Sequence, residues 1–128
     1  MIPREFFPSS ELSCHCGCGL LPDIKDVERL YVVRMLLRKP MAITSSARCA
    51  EHNKASGGKP GSIHLPASLR NGISSSWGGG AFDISANKEF QMEILEKALI
   101  AGFKGFGLAK NFIHIDCADR PQITYWTY

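Results

Sequence analysis

The chain has 128 residues, 45% hydrophobic and 21% charged, with 15 Lys and Arg against 12 Asp and Glu for a net charge of +3. That length suits a single domain, and the small basic excess is spread along the chain, so neither a second module nor a nucleic-acid surface is expected. No stretch reaches the roughly 20 apolar residues that span a bilayer. The opening Met-Ile-Pro-Arg-Glu-Phe-Phe-Pro lacks the apolar run and cleavage site of a secretory signal, so synthesis in the cytoplasm without a signal peptide is the expectation.

The first chemical feature along the chain is "CHCGC", where Cys14, His15, Cys16 and Cys18 are all potential zinc ligands. Structural zinc usually takes two C-x₂₋₄-C arms well separated in sequence, and only Cys49 and Cys117 are available as a distant arm. Five cysteines, an odd number, also argue against a full disulfide framework. The expectation is reduced thiols in a glycine-containing turn.

Residues 23–38, "DIKDVERLYVVRMLLR", space Ile24, Val27, Leu30, Tyr31 and Met35 as an amphipathic helix, with Asp23 at the N-cap and Pro40 as the stop. "MAITS" (41–45) reads as a short buried strand. "CAEHNKASGG" (49–58) reads as a helical turn ended by Gly57 and Gly58, and "AFDIS" (81–85) as a second strand. A helix over 87–101 sets Phe90, Ile94, Ala98 and Ala101 on one face, with Gly102 at its C-terminal cap. "GFGLA" and "FIHIDC" follow as two strands joined tightly at Lys110-Asn111, and "ITYWTY" adds an edge strand. These elements predict an α+β domain over residues 1–128, a small antiparallel sheet flanked by helices.

His114 and Asp116 alternate along an apolar strand and so leave it on one face with Phe112, while Ile113, Ile115 and Cys117 point to the other. A solvated strand face would account for both. The pair could also join the histidine of "SIH" and the aspartate of "GGAFDI", His64 and Asp83. Nitrogen and oxygen donors without thiolate, three of them, are the pattern of catalytic zinc, which keeps a coordination position open.

These motifs carry a resemblance. Ser62-x-His64, then Gly79-x-Ala81-x-Asp83, then "FIHID" resemble the S-x-H-x-x-G-x-A-x-D signature and distant strand histidine of the zinc D-Ala-D-Ala carboxypeptidase family. That family shares its metallopeptidase fold with lysostaphin-type enzymes and the hedgehog signalling domain. "FFPSSELSCHCGCG" is similar to the N-terminal segment of phage and prophage members, while "ITSSARCAEHNKASGG" and "GFKGFGLAKNFIHIDCADR" are similar to two further family blocks. The likeness runs over about residues 6–120. Eighteen residues, Leu65 to Phe82, stand between His64 and Asp83, twelve more than the family pattern. A loop inserted at about 66–78 explains the difference at small entropic cost.

The resemblance implies a hedgehog/D-Ala-D-Ala peptidase-like domain binding one Zn²⁺ per chain through His64, Asp83 and His114. Arg48 matches the arginine that holds a substrate carboxylate, a task suited to its bidentate fork; the plain alternative is a surface salt bridge. Ser62 and Trp77 are the other expected substrate contacts, Trp77 as part of a loop wall or lid. The family's usual base positions hold Asn111 and Phe112, so Asp116 is the expected catalytic base, with a role orienting a metal ligand as its alternative. The implied activity is a zinc metallopeptidase cutting peptidoglycan stem peptides as a carboxypeptidase or endopeptidase. The protein is read as a monomer, without nucleic-acid partner or membrane insertion, that reaches the wall after phage or prophage lysis (an endolysin) or as a virion component. A non-catalytic zinc-binding recognition domain of the same fold is the alternative. A nucleic-acid module built on "CHCGC" lacks a basic patch.

Overall fold

The structure is a computed structural model that describes residues 7–56, 64, 80–118 and 120–128. Its elements run α1 (Ser9–Leu12), α2 (Ile24–Leu37), β1 (Ile43–Ser45), α3 (Ala50–Ala55), β2 (Ala81–Ser85), α4 (Lys88–Ala101), β3 (Gly105–Leu108), β4 (Phe112–Asp116) and β5 (Thr124–Thr127). The five strands form one sheet in the order β1-β2-β4-β3-β5. All neighbouring pairs are antiparallel except β3 and β5, which are parallel. The expected α+β domain is therefore the observed one, with a mixed sheet in place of a wholly antiparallel one. β5 arrives after a connection from the far end of β4, and so enters its edge position along the direction of β3.

Strand alternation sorts the sheet into two faces. Phe82, Ile84, Phe106, Ile113 and Ile115 are all but fully buried and form the core with Leu30 and Val33 of α2, Ile94 of α4 and Phe103. Each such side chain contributes about 1.5–3 kcal/mol by leaving water, so helices α2 and α4 are held to this face by burial. The opposite face carries Asp83, His114, Asp116, Gly105 and Gly107.

α4 follows its predicted course. Asn87 caps it by accepting the Phe90 N–H at 2.8 Å, and Gly102 ends it in the left-handed region. Buried Gln91 ties its first turn to the sheet, donating to the Ala86 and Ala109 carbonyls at 3.0 and 2.9 Å. α2 keeps its predicted span, and Val27, Leu30 and Tyr31 of its predicted face pack on the core. Asp26, Val27, Leu30, Val33 and Leu37 are buried, whereas Ile24 and Met35 are exposed. Asp26 turns its carboxylate inward, where Cys117 donates its S–H to Oδ1 at 2.9 Å. α1, a single turn that the periodicity did not predict, docks on β1 where the Ile43 N–H donates to Glu11 Oε2 at 3.0 Å.

Candidate metal centre

The register of the sheet builds the site. Asp83 of β2 lies directly opposite His114 of β4, which lies opposite Gly107 of β3, which lies opposite Trp126 of β5. Ser45 of β1 completes this row beside Asp83. A slip of one residue between β2 and β4 would turn Asp83 into the core. The flanking Phe82–Ile115 and Ile84–Ile113 pairs, buried on the core face, fix the register.

His64 reaches the row from outside the strands. Its carbonyl accepts the Arg48 N–H at 2.9 Å, and its ring Nδ1–H donates to the Ser46 carbonyl at 2.8 Å. That hydrogen bond leaves the Nε2 lone pair facing Asp83 Oδ1, 3.3 Å away. His114 presents the other nitrogen: its Nδ1 is 3.1 Å from Asp83 Oδ1, while Nε2–H donates to Asp116 Oδ2 at 2.8 Å. The two imidazoles stand edge to face with centroids 5.2 Å apart. One donor atom from each of His64, Asp83 and His114 lies within 4.8 Å of the others.

These distances fit a metal. Nitrogen and oxygen donors about 2.0–2.2 Å from zinc in tetrahedral array lie about 3.3–3.5 Å from one another, close to the separations seen. The surrounding charges point the same way. Burial would push the Asp83 carboxyl up, but hydrogen bonds to both histidines and their charge hold it well below the usual carboxylate range. Burial would lower the His114 pKa, yet Asp116 and Asp83 raise it above its ordinary value.

Asp116 stands behind His114 and is wholly buried. Arg120 grips it side-on, Nε to Oδ1 at 3.0 Å and Nη2 to Oδ2 at 2.8 Å, and the Ala118 N–H also donates to Oδ1 at 3.3 Å. Burial raises its pKa, but His114 and Arg120 more than reverse this and the carboxyl ends below its ordinary value. Both oxygens are engaged, and a low-pKa carboxylate sealed from water is a poor proton acceptor. The geometry matches the alternative expectation, a carboxylate that orients a neighbouring histidine.

Two glycines make room for this arrangement. A Cβ on Gly105 would collide with the Asp116 carboxylate, and one on Gly107 would come within 2.7 Å of the Trp126 indole nitrogen. The Trp126 ring lies 5.2 Å from that of His114 and carries the Arg120 guanidinium 5.3 Å from its centre. Arg120 and Trp126 were not among the expected site residues. The Asp116-to-Arg120 spacing and the glycines of "GFG" were the signals available.

Arg48 is partly buried close to this row. Burial pulls its pKa down, opposed by the charges of Asp83, Cys14 and Tyr128. Ser62, Trp77 and the inserted loop at about 66–78 lie outside the described residues.

Among proteins of known family, the peptidase M15 profile matches residues 5–116. The chain belongs to the peptidase M15 family. No curated protein and no solved structure matches it. As an M15 member the chain is a metallopeptidase, and His64, Asp83 and His114 are its candidate metal-binding residues. Among the described residues no helix is long and apolar enough to cross a membrane.

A second cluster departs from expectation. Cys14, Cys16 and Cys18 were read as thiols in a turn; the structure brings Cys49 to them, with all four sulfurs within 4.8 Å of one another. Cys117, the other possible arm, is buried against Asp26 instead. The C-x₂₋₄-C rule missed the grouping because a C-x-C-G-C segment folds back on itself at Gly17 and Gly19, both at positive φ.

Proposed function

We propose that this M15 peptidase hydrolyses peptide bonds in bacterial peptidoglycan stem peptides, using zinc held by His64, Asp83 and His114. The observation that carries the reading is the convergence of two imidazoles and one carboxylate, without thiolate, on a sheet face beside an arginine. A zinc ion there supplies a Lewis acid for the scissile carbonyl and lowers the pKa of a bound water. Arg48 docks a terminal or side-chain carboxylate of the stem peptide with its planar fork. Asp116, neutralised by Arg120, keeps the proton on His114 Nε2 so that Nδ1 is free to ligate. Trp126 shields that imidazole from water.

Ser62 and Trp77 are assigned to substrate contact, with the 66–78 insertion as a wall that narrows the choice of peptide. In this reading the protein acts as a monomer on the cell wall, as a phage or prophage lysis protein or virion component. The likeness of "FFPSSELSCHCGCG" to phage members supports that setting.

The test is digestion of purified peptidoglycan and of synthetic stem peptides ending in D-Ala-D-Ala by the zinc-loaded protein. Loss of one terminal D-Ala marks a carboxypeptidase, and uncrosslinked fragments mark an endopeptidase. Intact, zinc-loaded protein that binds the sacculus and cuts nothing would replace this proposal with a non-catalytic recognition domain.

A further inference from the structure

The four-cysteine cluster lies apart from the histidine–aspartate site. The Cys14 and Cys16 sulfurs are 3.4 Å apart, Cys14 and Cys49 3.8 Å, and Cys16 and Cys49 3.7 Å. All these cysteines are free thiols. A disulfide would need sulfurs about 2.05 Å apart, which none of these pairs approaches. Four thiolates around one zinc at about 2.3 Å form a tetrahedron with edges of about 3.8 Å. The three observed separations are close to that edge, so zinc can replace the thiol protons with little movement of the sulfurs. A two-iron cluster would split the four sulfurs between two metals, whereas here every sulfur lies within 4.8 Å of every other.

The backbone is shaped for the same purpose. The Cys14 N–H donates to the Leu20 carbonyl at 2.8 Å and the Gly17 N–H to the Cys14 carbonyl at 3.2 Å, so residues 14–20 close on themselves. Gly17 and Gly19 sit at φ +88° and +84° with open space where a Cβ would be. They are needed for the turn, not for clearance. The Cys49 N–H donates to Cys14 Sγ at 3.4 Å, the amide-to-sulfur bond that stabilises a ligating thiolate. Apart from Cys14 the group sits at or near the surface, where no apolar burial holds it together.

We infer that Cys14, Cys16, Cys18 and Cys49 bind a second, structural zinc ion in a closed four-thiolate site. Four protein ligands leave no position for water or substrate, so this ion takes no part in hydrolysis. Its work is to staple the loop between α1 and α2 to the segment from Ser46 to Cys49. That segment carries the carbonyl that fixes His64 and the arginine beside Asp83. The expected content rises from one zinc per chain to two.

The test uses the full chain purified with zinc under reducing conditions. Elemental analysis should give two zinc per chain in the parent, one in a His64→Ala/His114→Ala variant, and two in a Cys117→Ser control. A Cys18→Ser/Cys49→Ser variant should hold one. Should that variant fail to fold, cobalt substitution of the intact His64→Ala/His114→Ala protein decides. It should show the intense visible bands of tetrahedral cobalt with thiolate-to-metal charge transfer in the near ultraviolet. Loss of all metal from the histidine double variant, together with a cobalt spectrum lacking thiolate bands, would overturn the inference. So would disulfides among the four cysteines in the reduced, zinc-supplied protein. Hydrolysis plays no part in these readouts, so the peptidase proposal can fail independently.

Discussion

The His64–Asp83–His114 cluster is mounted on the sheet, and the cysteine cluster is mounted on a loop. In the first, two ligands face each other across the β2–β4 ladder, and the third is pinned by the Ser46 carbonyl. Behind them Asp116 and Arg120 form a buried ion pair that sets the His114 ring. In the second, three of the four donors lie within five residues, and the supports are a turn and backbone amides that meet the sulfurs. A group of three donors must be held in place by its surroundings if one coordination position is to stay open. A group of four can be held by the ion itself. The contrast fits an outer layer of buried side chains at the sheet site and of local backbone at the loop site.

The strongest way to break this comparison is to remove a sheet ligand. His114→Ala should abolish zinc at that site and reduce hydrolysis to the metal-free background, leaving the thiolate-bound metal in place. Circular dichroism should show the fold intact. Unchanged hydrolysis would detach His114 from the chemistry.

Asp116→Asn sharpens the same point. If the carboxylate orients His114, zinc affinity should fall by about 10–100-fold and activity should largely return at saturating zinc. A loss of about 10²–10⁴ in turnover at full zinc occupancy would restore Asp116 as the base. Competition with a chromophoric chelator, run beside the kinetics, separates the two outcomes.

Smaller in effect is Gly105→Ala. The added methyl meets the Asp116 carboxylate, and the resulting shift should cost about 1–3 kcal/mol of stability. Weaker zinc binding should accompany that loss. Urea unfolding with and without chelator measures both.

The pH response of the metal-free protein follows from the shifts at the same residues. Asp116 has a depressed pKa, so its contribution is complete above the ordinary carboxylate range and is lost as pH falls through the folded value. His114 has a raised pKa, so its contribution is complete below 6.5 and is lost as pH rises through the folded value. Metal-free stability should therefore peak in mildly acidic solution. Zinc competes with the proton on His114, so the gap in Tm between zinc-loaded and metal-free protein should widen from about pH 5 to about pH 8. A gap that stays constant would mean His114 binds no metal.

Much of the sheet site was legible in sequence because period-two alternation alone puts His114 and Asp116 on the face opposite Ile113 and Ile115. The ordered motifs then paired them with His64 and Asp83. The surroundings of Asp116 were not legible, since they depend on which way the His114 ring turns and on Arg120 closing over the carboxylate. The place of Asp26 on the inward face of α2 was missed for a related reason. Cys117, far along the chain, rewards burial of Asp26, and helical periodicity counts apolar residues only. Cys49 was discounted because spacing rules describe two paired arms and not three cysteines wrapped by a double glycine turn. β5 could be seen as a strand from "ITYWTY", but not that it would run parallel to β3.

The sheet order has a kinetic consequence. Among the described residues only β3 and β4 are joined by a tight turn; β2 reaches β4 across α4 and β3, and β1 reaches β2 across α3 and the inserted residues. Pairings of such long sequence separation are slow to find, typically on a millisecond-to-second scale. The hairpin can place His114 beside Gly107 early, but Asp83 joins only when β2 docks, and His64 comes from a different stretch again. The sheet ligands therefore converge only as β2 packs Phe82 and Ile84 into the core. Zinc present from the first moment of refolding should leave the main folding rate unchanged and slow only the reverse reaction, which stopped-flow fluorescence of Trp126 beside His114 can follow.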